Sequence, residues 1–218
     1  MHTILIAAQK GGAGKSTLAA HLSTLADRDG KTLLVDTDPQ GSLSFWRRRR
    51  TAQTPVLARA SALAMPDVLG RARCSGVAWA VVDSPPHNTS LISSLMSRAT
   101  LTVIPVRPGP FDLDAVGTTL AMARRLKAPM ACIINAAPPF TCGDRQVSVV
   151  VETRAALSRM GAPVLPGQVS QRASLSHALI SGQSVDEYDP HGRATSEIAA
   201  MWSMISELAR NFPCQASD

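Results

Sequence analysis

The chain has 218 residues, of which 45% are hydrophobic and 17% are charged, so it is long enough to bury the core of one compact domain. Its formal net charge is +6, and only four of its 22 basic residues are lysines. Such a balance favours a polyanionic partner that is bound through its phosphates without base reading. The sequence shows neither a signal-peptide pattern nor an apolar run of membrane-spanning length, so we expect a cytoplasmic protein without a membrane partner.

The four cysteines form no C-x-x-C pair and have no histidine at zinc spacing. We therefore expect free thiols in a reducing compartment, which argues against an iron–sulfur reductase. The cysteines are Cys74, Cys132, Cys142 and Cys214.

Short apolar runs alternate with helical stretches along the whole chain. This alternation predicts an α/β fold in which helices flank a doubly wound, mostly parallel sheet, with residues 1–218 forming a single domain. Ligands of such sheets bind where the carboxyl ends of the strands meet. The predicted strands are Thr3 to Ala8, Thr32 to Asp36, Val56 to Ala60, Ala78 to Asp83, Leu101 to Val106, Met130 to Asn135 and Val164 to Val169.

The first predicted strand runs into the segment Lys10 to Thr17, which reads KGGAGKST, and a helix is predicted from Ser16 to Ala26. A glycine-rich turn that opens a helix aims backbone N–H groups at one point, where nucleotide phosphates fit. The pattern predicts that Lys15 reaches the β and γ phosphates and that the Ser16 hydroxyl ligates Mg²⁺. We expect the phosphates of ATP to be held by Gly11, Gly12, Ala13, Gly14, Lys15, Ser16 and Thr17.

A further lysine, Lys10, stands at the front of this loop, where it could be a solvated surface charge. However, KGGAGKST resembles the deviant Walker A motif, KGGxxK[ST], of the ParA/MinD family of partition and positioning ATPases. The resemblance implies a homodimer that closes on ATP, in which Lys10 contacts the phosphates bound by the other subunit. Lys10 and Lys15 are accordingly both expected to act in catalysis.

Two further predicted strands end in aspartates, in the segments Asp36-Thr-Asp-Pro-Gln and Asp83-Ser-Pro-Pro. Without other information these could be a polar turn and a helix cap. They resemble switch I and switch II of the same family. The resemblance implies that Asp38 positions or activates the attacking water, and that Asp36 and Asp83 hold the Mg²⁺ hydration shell together with Ser16.

Three later features take their expected roles from the resemblance. The segment Ile104 to Asp114, with three prolines, is expected to be a stiff, extended strand exit at the dimer face. Asn135 occupies the position from which family members commonly bond adenine, although Ala136 and Ala137 follow it without a basic residue. Arg172 matches an arginine of the family's DNA-binding surface.

The run Arg47 to Arg50 is expected on the helix after switch I, where it could be a solvated helix face or contribute to DNA binding. The C-terminal helix, Thr195 to Asn211, carries an apolar stripe with few basic residues on its polar side. We therefore expect it to pack on the core rather than to anchor a membrane.

The resemblance is closest to short plasmid-partition ParA proteins of the ParF type. It implies a slow, partner-stimulated ATPase that associates with the nucleoid by binding DNA non-specifically. It would segregate plasmid, chromosome or protein-cluster cargo through a ParB-like adaptor. Because the chain begins at its first strand, no N-terminal helix-turn-helix extension is expected. The alternatives are a MinD-like or cellulose-synthesis-associated ATPase that acts at a membrane or on a protein partner, and a nucleotide-held scaffold.

Overall fold

In the computed structural model, which describes residues 1–61, 63–140 and 147–213, six strands form one sheet in the order β3-β2-β4-β1-β5-β6. All neighbouring strands run parallel. The strands are β1 (His2–Ile6), β2 (Thr32–Asp36), β3 (Val56–Arg59), β4 (Trp79–Asp83), β5 (Leu101–Val106) and β6 (Met130–Ile134). The predicted α/β class and parallel sheet are confirmed.

Helices cover both faces of the sheet, because successive strand residues point to opposite sides and both sides are apolar. The helices are α1 (Lys15–Asp29), α2 (Ser42–Arg49), α3 (Met65–Cys74), α4 (Thr89–Met96), α5 (Pro110–Arg125), α6 (Ser148–Arg159), α7 (Ala173–Ile180), α8 (Val185–Tyr188) and α9 (Arg193–Arg210). Ile4 and Ile6 face α1, α2, α7 and α9, whereas Leu5 faces α3, α4 and part of α5.

The seventh predicted strand, Val164 to Val169, is wrong. This segment runs beside β6 but makes only isolated parallel bridges, between Cys132 and Val164 and between Ala137 and Ser170. Pro166 has no N–H to donate to a ladder, and Gly167 has a left-handed φ of 76° that turns the chain out of the extended conformation. The segment therefore covers the edge of β6 without becoming a regular strand.

The predicted extended strand exit, Ile104 to Asp114, is wrong in its second half. β5 ends at Val106, and α5 begins at Pro110. Proline suits the first turn of a helix because its fixed φ is helical and its missing N–H would have no partner there. The prolines thus mark a strand end and a helix start only a few residues apart.

The C-terminal helix packs on the core, as predicted. Ile198, Met201 and Ile205 of α9 are buried in the same cluster as α1. Trp202 packs edge-on against Trp79 of β4, with the ring centroids 4.9 Å apart. In the part of the chain that the structure describes, no helix combines the length and apolar character needed to cross a bilayer.

One histidine, His21 of α1, is completely buried and joins α1 to α7 and α8. The backbone N–H of Val185 donates to its Nδ1 over 3.1 Å, and its Nε2 lies 3.2 Å from the carbonyl oxygen of Leu175. Since Nδ1 accepts, Nε2 carries the proton and donates, which makes this the neutral tautomer. Burial lowers the pKa of His21 to about 4.

This buried imidazole predicts a pH-dependent stability. With a folded pKa of about 4 and an ordinary value of 6.5, the unfolded chain binds more protons between these two values. The stability contributed by His21 is therefore complete above pH 6.5 and is lost as the pH falls toward 4. In urea titrations, the difference in unfolding free energy between the wild type and His21→Gln should shrink by about 2 kcal/mol from pH 7 to pH 5. His177→Gln, an exposed change on α7, should follow the wild type, and a pH-independent difference for His21→Gln would contradict the buried neutral imidazole.

Candidate functional site

The pairing register brings the predicted acidic residues beside the glycine-rich loop. Asp83 lies opposite Ile6, the last residue of β1, and also opposite Asp36, the last residue of β2. The backbone N–H and side-chain hydroxyl of Thr37 both donate to the carbonyl oxygen of Asp83, at 3.2 and 2.6 Å. The loop and both switch segments thus meet at one edge of the sheet, as predicted.

The glycine-rich loop connects β1 to α1 and takes conformations that only glycine adopts easily. Gly12 and Gly14 have φ values of 77° and 86°, and Gly14 immediately precedes the first residue of α1. Lys15 is buried, and its ammonium donates to the carbonyl oxygen of Lys10 over 3.2 Å. Burial lowers the pKa of Lys15, while the charges of Asp83 and Asp38 oppose that shift. An ammonium held under the loop in this way is positioned to meet a phosphate.

Asp83 is the most unusual ionisable group of the site. Its side chain is fully buried, and neither carboxylate oxygen has a hydrogen-bond partner of ordinary geometry among the residues that the structure describes. Burial raises the pKa of Asp83 to about 7. Two groups lower this pKa: the Ser16 hydroxyl, which acts on the carboxylate from outside ordinary hydrogen-bond geometry, and the charge of Lys15. The charges of Asp36 and Asp38 raise it further.

An unpartnered buried carboxylate beside a hydroxyl fits a divalent cation. Mg²⁺ takes oxygen ligands, keeps several of its waters and is commonly shared with nucleotide phosphates. Ser16 and Asp83 have the oxygen atoms for such a role, Ser16 toward the ion and Asp83 toward its water shell. When bound, the ion would neutralise phosphate charge that develops during hydrolysis.

The two aspartates of switch I differ in what they contact. Asp36 is buried and accepts from the backbone N–H of Asp38 at 3.1 Å and from the Ser44 hydroxyl at 3.4 Å, and burial raises its pKa. Asp38 is half-buried and accepts from the backbone N–H of Gln40 at 2.9 Å. Asp36 therefore shapes the switch loop, a function that the sequence analysis missed, and its metal role stays a prediction.

A cavity of about 660 Å³ opens above the loop. Asp38 lies on its wall, together with residues of α2 and α7 that the sequence analysis did not connect with the site: Leu43, Phe45, Trp46, Arg48 and Leu179. Of the predicted phosphate-binding residues, the lining includes Gly11, Gly12, Gly14, Lys15, Ser16 and Thr17. Six of the seven predicted phosphate-binding residues therefore line one cavity.

Asn135 and the loop residue Ala13 do not line this cavity. The Asn135 amide donates to the carbonyl oxygen of Ala13 over 2.7 Å, and a Cβ at Gly14 would overlap this amide. From the other side Arg107 donates to the carbonyl oxygen of Gly12 over 3.3 Å, a contact that no sequence motif indicated. Both side chains brace the loop backbone, and the predicted adenine contact of Asn135 stays a prediction.

Lys10 forms an ion pair within its own chain. Its ammonium lies 2.9 Å from a carboxylate oxygen of Asp112, on the first turn of α5, and its side chain remains 38% exposed. The neighbouring Phe111 is 80% exposed. The structure thus places Lys10 at the mouth of the loop with a salt bridge that must open before the lysine can reach another protomer.

Arg172, the predicted DNA contact, is also paired. It donates to Glu197 of α9 over 2.9 Å, and Glu197 accepts from the backbone N–H and the hydroxyl of Ser170 as well. The Arg172 side chain is only 21% exposed. The DNA contact of Arg172 stays a prediction, with the pair to Glu197 as an additional constraint.

The geometry of this site agrees with a comparison of the sequence with family models. Residues 4–185 match the model described as the CobQ/CobB/MinD/ParA nucleotide binding domain. The chain belongs to the ParA/MinD family of ATPases.

Individual relatives of this ParA/MinD-family chain include a "Maintenance of carboxysome distribution protein A" from Halothiobacillus neapolitanus. It is 31% identical over 212 residues, which cover 89% of this chain and 91% of that relative. Among solved structures, apo McdA from Cyanothece aligns with a TM-score of 0.77 and 16% identity, covering 94% of this chain and 98% of the other. MinD from Pyrococcus horikoshii, solved with Mg-ADP, aligns with a TM-score of 0.74 and 17% identity, covering 95% and 97%. At these identities the two structures establish the fold alone.

The orphan carboxylate of Asp83 predicts a specific defect in metal binding. Asp83→Asn keeps the shape of the side chain but removes its charge, so the apparent affinity for Mg²⁺ in the presence of ATP should fall by about tenfold or more, in line with the loss of one charge-assisted interaction. Fluorescence of a labelled ATP analogue, titrated with MgCl₂, measures this. Asp67→Asn, an exposed carboxylate on α3, should behave as the wild type. An unchanged magnesium dependence in Asp83→Asn would remove Asp83 from the metal site.

Proposed function

We propose that this chain is a positioning ATPase that binds ATP with Mg²⁺, dimerises around the nucleotide, binds DNA non-specifically and carries a cargo through an adaptor protein. The observation that carries the proposal is the site itself. A buried lysine at the end of a glycine-rich loop lies close enough to an unpartnered buried carboxylate for their charges to interact, and a second lysine stands at the mouth of the loop.

Hydrolysis is the reaction that the site supports. Lys15 would contact the β and γ phosphates, with Ser16 and Asp83 toward the metal ion. Asp38 lies on the wall of the same cavity, where a half-buried carboxylate can orient an attacking water. We propose that turnover is slow and is accelerated by a partner; the salt bridge that engages Lys10 within its own chain supports this.

The cargo that we propose is a large protein assembly. The relative from Halothiobacillus, whose name refers to carboxysome distribution, supports this class of cargo because it aligns over nearly the full length of both chains. A plasmid or a chromosome origin would use the same nucleotide chemistry, and the adaptor, ParB-like in its role, would decide between these cargoes. We also propose that the protein associates with the nucleoid through its positive net charge.

The DNA part of the function is tested by retention of the purified protein on random-sequence duplex DNA with ATP, with ADP and without nucleotide. We expect retention only with ATP and Mg²⁺, and it should weaken steeply as salt rises, because counterions are released from the phosphates on binding. Anionic phospholipid vesicles form the parallel arm. Vesicle binding without DNA retention would favour the MinD-like alternative at a membrane.

The dimer is tested through Lys10. Lys10→Ala should still bind ADP but should elute as a monomer with ATP and Mg²⁺, because each protomer would lose its contact with the nucleotide of the other. Light scattering after size exclusion measures the mass. Lys127→Ala, an exposed lysine after α5, serves as the control and should dimerise as the wild type does. Dimerisation that survives Lys10→Ala would leave Lys10 as a surface charge paired with Asp112.

A further inference from the structure

The run Arg47 to Arg50 is divided by the fold into two structural and two exposed arginines. Arg47 is half-buried, and its guanidinium donates to the carbonyl oxygens of Arg50, Ala52 and Gln53 just beyond the end of α2. The guanidinium of Arg50 is buried and donates through both terminal nitrogens to Glu187, at 2.6 and 2.7 Å. These two residues fasten the end of α2, and most of their N–H groups are engaged within the protein.

Arg48 and Arg49, in contrast, are exposed, and neither forms an ion pair with any residue that the structure describes. The Arg49 guanidinium lies over the ring of Phe45, 3.5 Å from the centroid, a contact that stabilises the position of the side chain. Arg48 lies at the rim of the nucleotide cavity.

The two acidic residues of α8, to which Arg50 ties the end of α2, are engaged by other arginines. Glu187 is paired with Arg50, and Asp186 is paired with Arg28. The pairing with Arg50 also holds the pKa of Glu187 down at about 2, against the effect of its burial. The exposed guanidinium groups of Arg48 and Arg49 raise the potential at this point of the surface.

We propose that Arg48 and Arg49 form the surface that binds the phosphate backbone of DNA. The proposal rests on the DNA binding put forward above and assigns it to residues. Guanidinium groups bind phosphate oxygens bidentately without reading bases, which suits a non-specific contact. Arg172 fits this role less well, because its guanidinium is largely covered and is held by Glu197.

The position of this surface links it to the nucleotide. α2 begins at Ser42, four residues after Asp38, and the Ser44 side chain bonds to Asp36 at the base of switch I. At the other end of α2, Trp46 donates to the carbonyl oxygen of Gln183 over 3.1 Å. A shift of switch I on ATP binding would therefore be passed to α2, which carries Arg48 and Arg49, and this gives DNA binding a route to nucleotide dependence.

The test compares two double variants that remove the same charge. Arg48→Gln/Arg49→Gln is matched with Arg124→Gln/Arg125→Gln, two consecutive exposed arginines in the last turn of α5 on the opposite face of the sheet. Fluorescence anisotropy with labelled random-sequence duplex, ATP and Mg²⁺ is recorded over a series of salt concentrations. The α2 variant should bind at least about tenfold more weakly, and the slope of log affinity against log salt should fall by about 2, one per lost phosphate contact. The α5 variant should bind within about twofold of the wild type.

The outcomes separate the proposal from the function on which it rests. Equal losses in both variants would mean that only net charge matters, and an unaffected α2 variant would mean that the contact lies elsewhere; either overturns the assignment. A loss confined to anionic vesicles would also overturn it. Absence of DNA binding by the wild type would contradict the DNA part of the proposed function itself.

If circular dichroism shows that the double variant is misfolded, Arg49→Gln alone, away from the cavity lining, should still lower the salt slope by about 1, and an unchanged slope would overturn the proposal.

Discussion

The parallel pairing of β4 between β1 and β2 is the constraint on which the site depends. It fixes Asp83 beside the last residues of both neighbouring strands, in a buried row of the sheet. A carboxylate in that position is buried without a hydrogen-bond partner of ordinary geometry among the residues that the structure describes, so its ionised form is costly, and its raised pKa expresses that cost. A cation bound there, as we propose, would offset this cost.

The two faces of the sheet are packed through different kinds of contact. The face with α3 and α4 packs almost entirely through apolar side chains. The face with α1, α2, α7 and α8 also contains a buried polar network, in which His21 joins α1 to α7 and α8, and Arg50 joins α2 to α8. Because hydrogen bonds and ion pairs are directional, they fix the relative positions of these helices more strictly than apolar contacts do. The helices that line the nucleotide cavity are thus the ones held by directional contacts.

The sequence predicted the parts of the molecule that follow from local patterns. The strand ends with Asp36 and Asp83 and the loop before Lys15 lie where the motif and the period of two placed them, because both depend on residues close together in the chain. Prediction failed where a local rule had two readings, as at Pro110, which can end an extended segment or begin a helix. Contacts that packing decides could not be predicted: the ion-pair partners of Lys10 and Arg172 come from α5 and α9, and no pattern in the sequence indicates which side chain will lie within 3 Å after folding.

The turn after α7 contains Gly182, where a Cβ would overlap the backbone of Arg49 at the end of α2. α2 has eight residues, is about 12 Å long and lies between the switch I loop and this turn. A side chain at position 182 would meet the backbone at the end of α2, so either the turn or α2 would have to shift. A residue that does not line the cavity therefore limits which side chains the turn after α7 can carry while α2 keeps its place beside switch I.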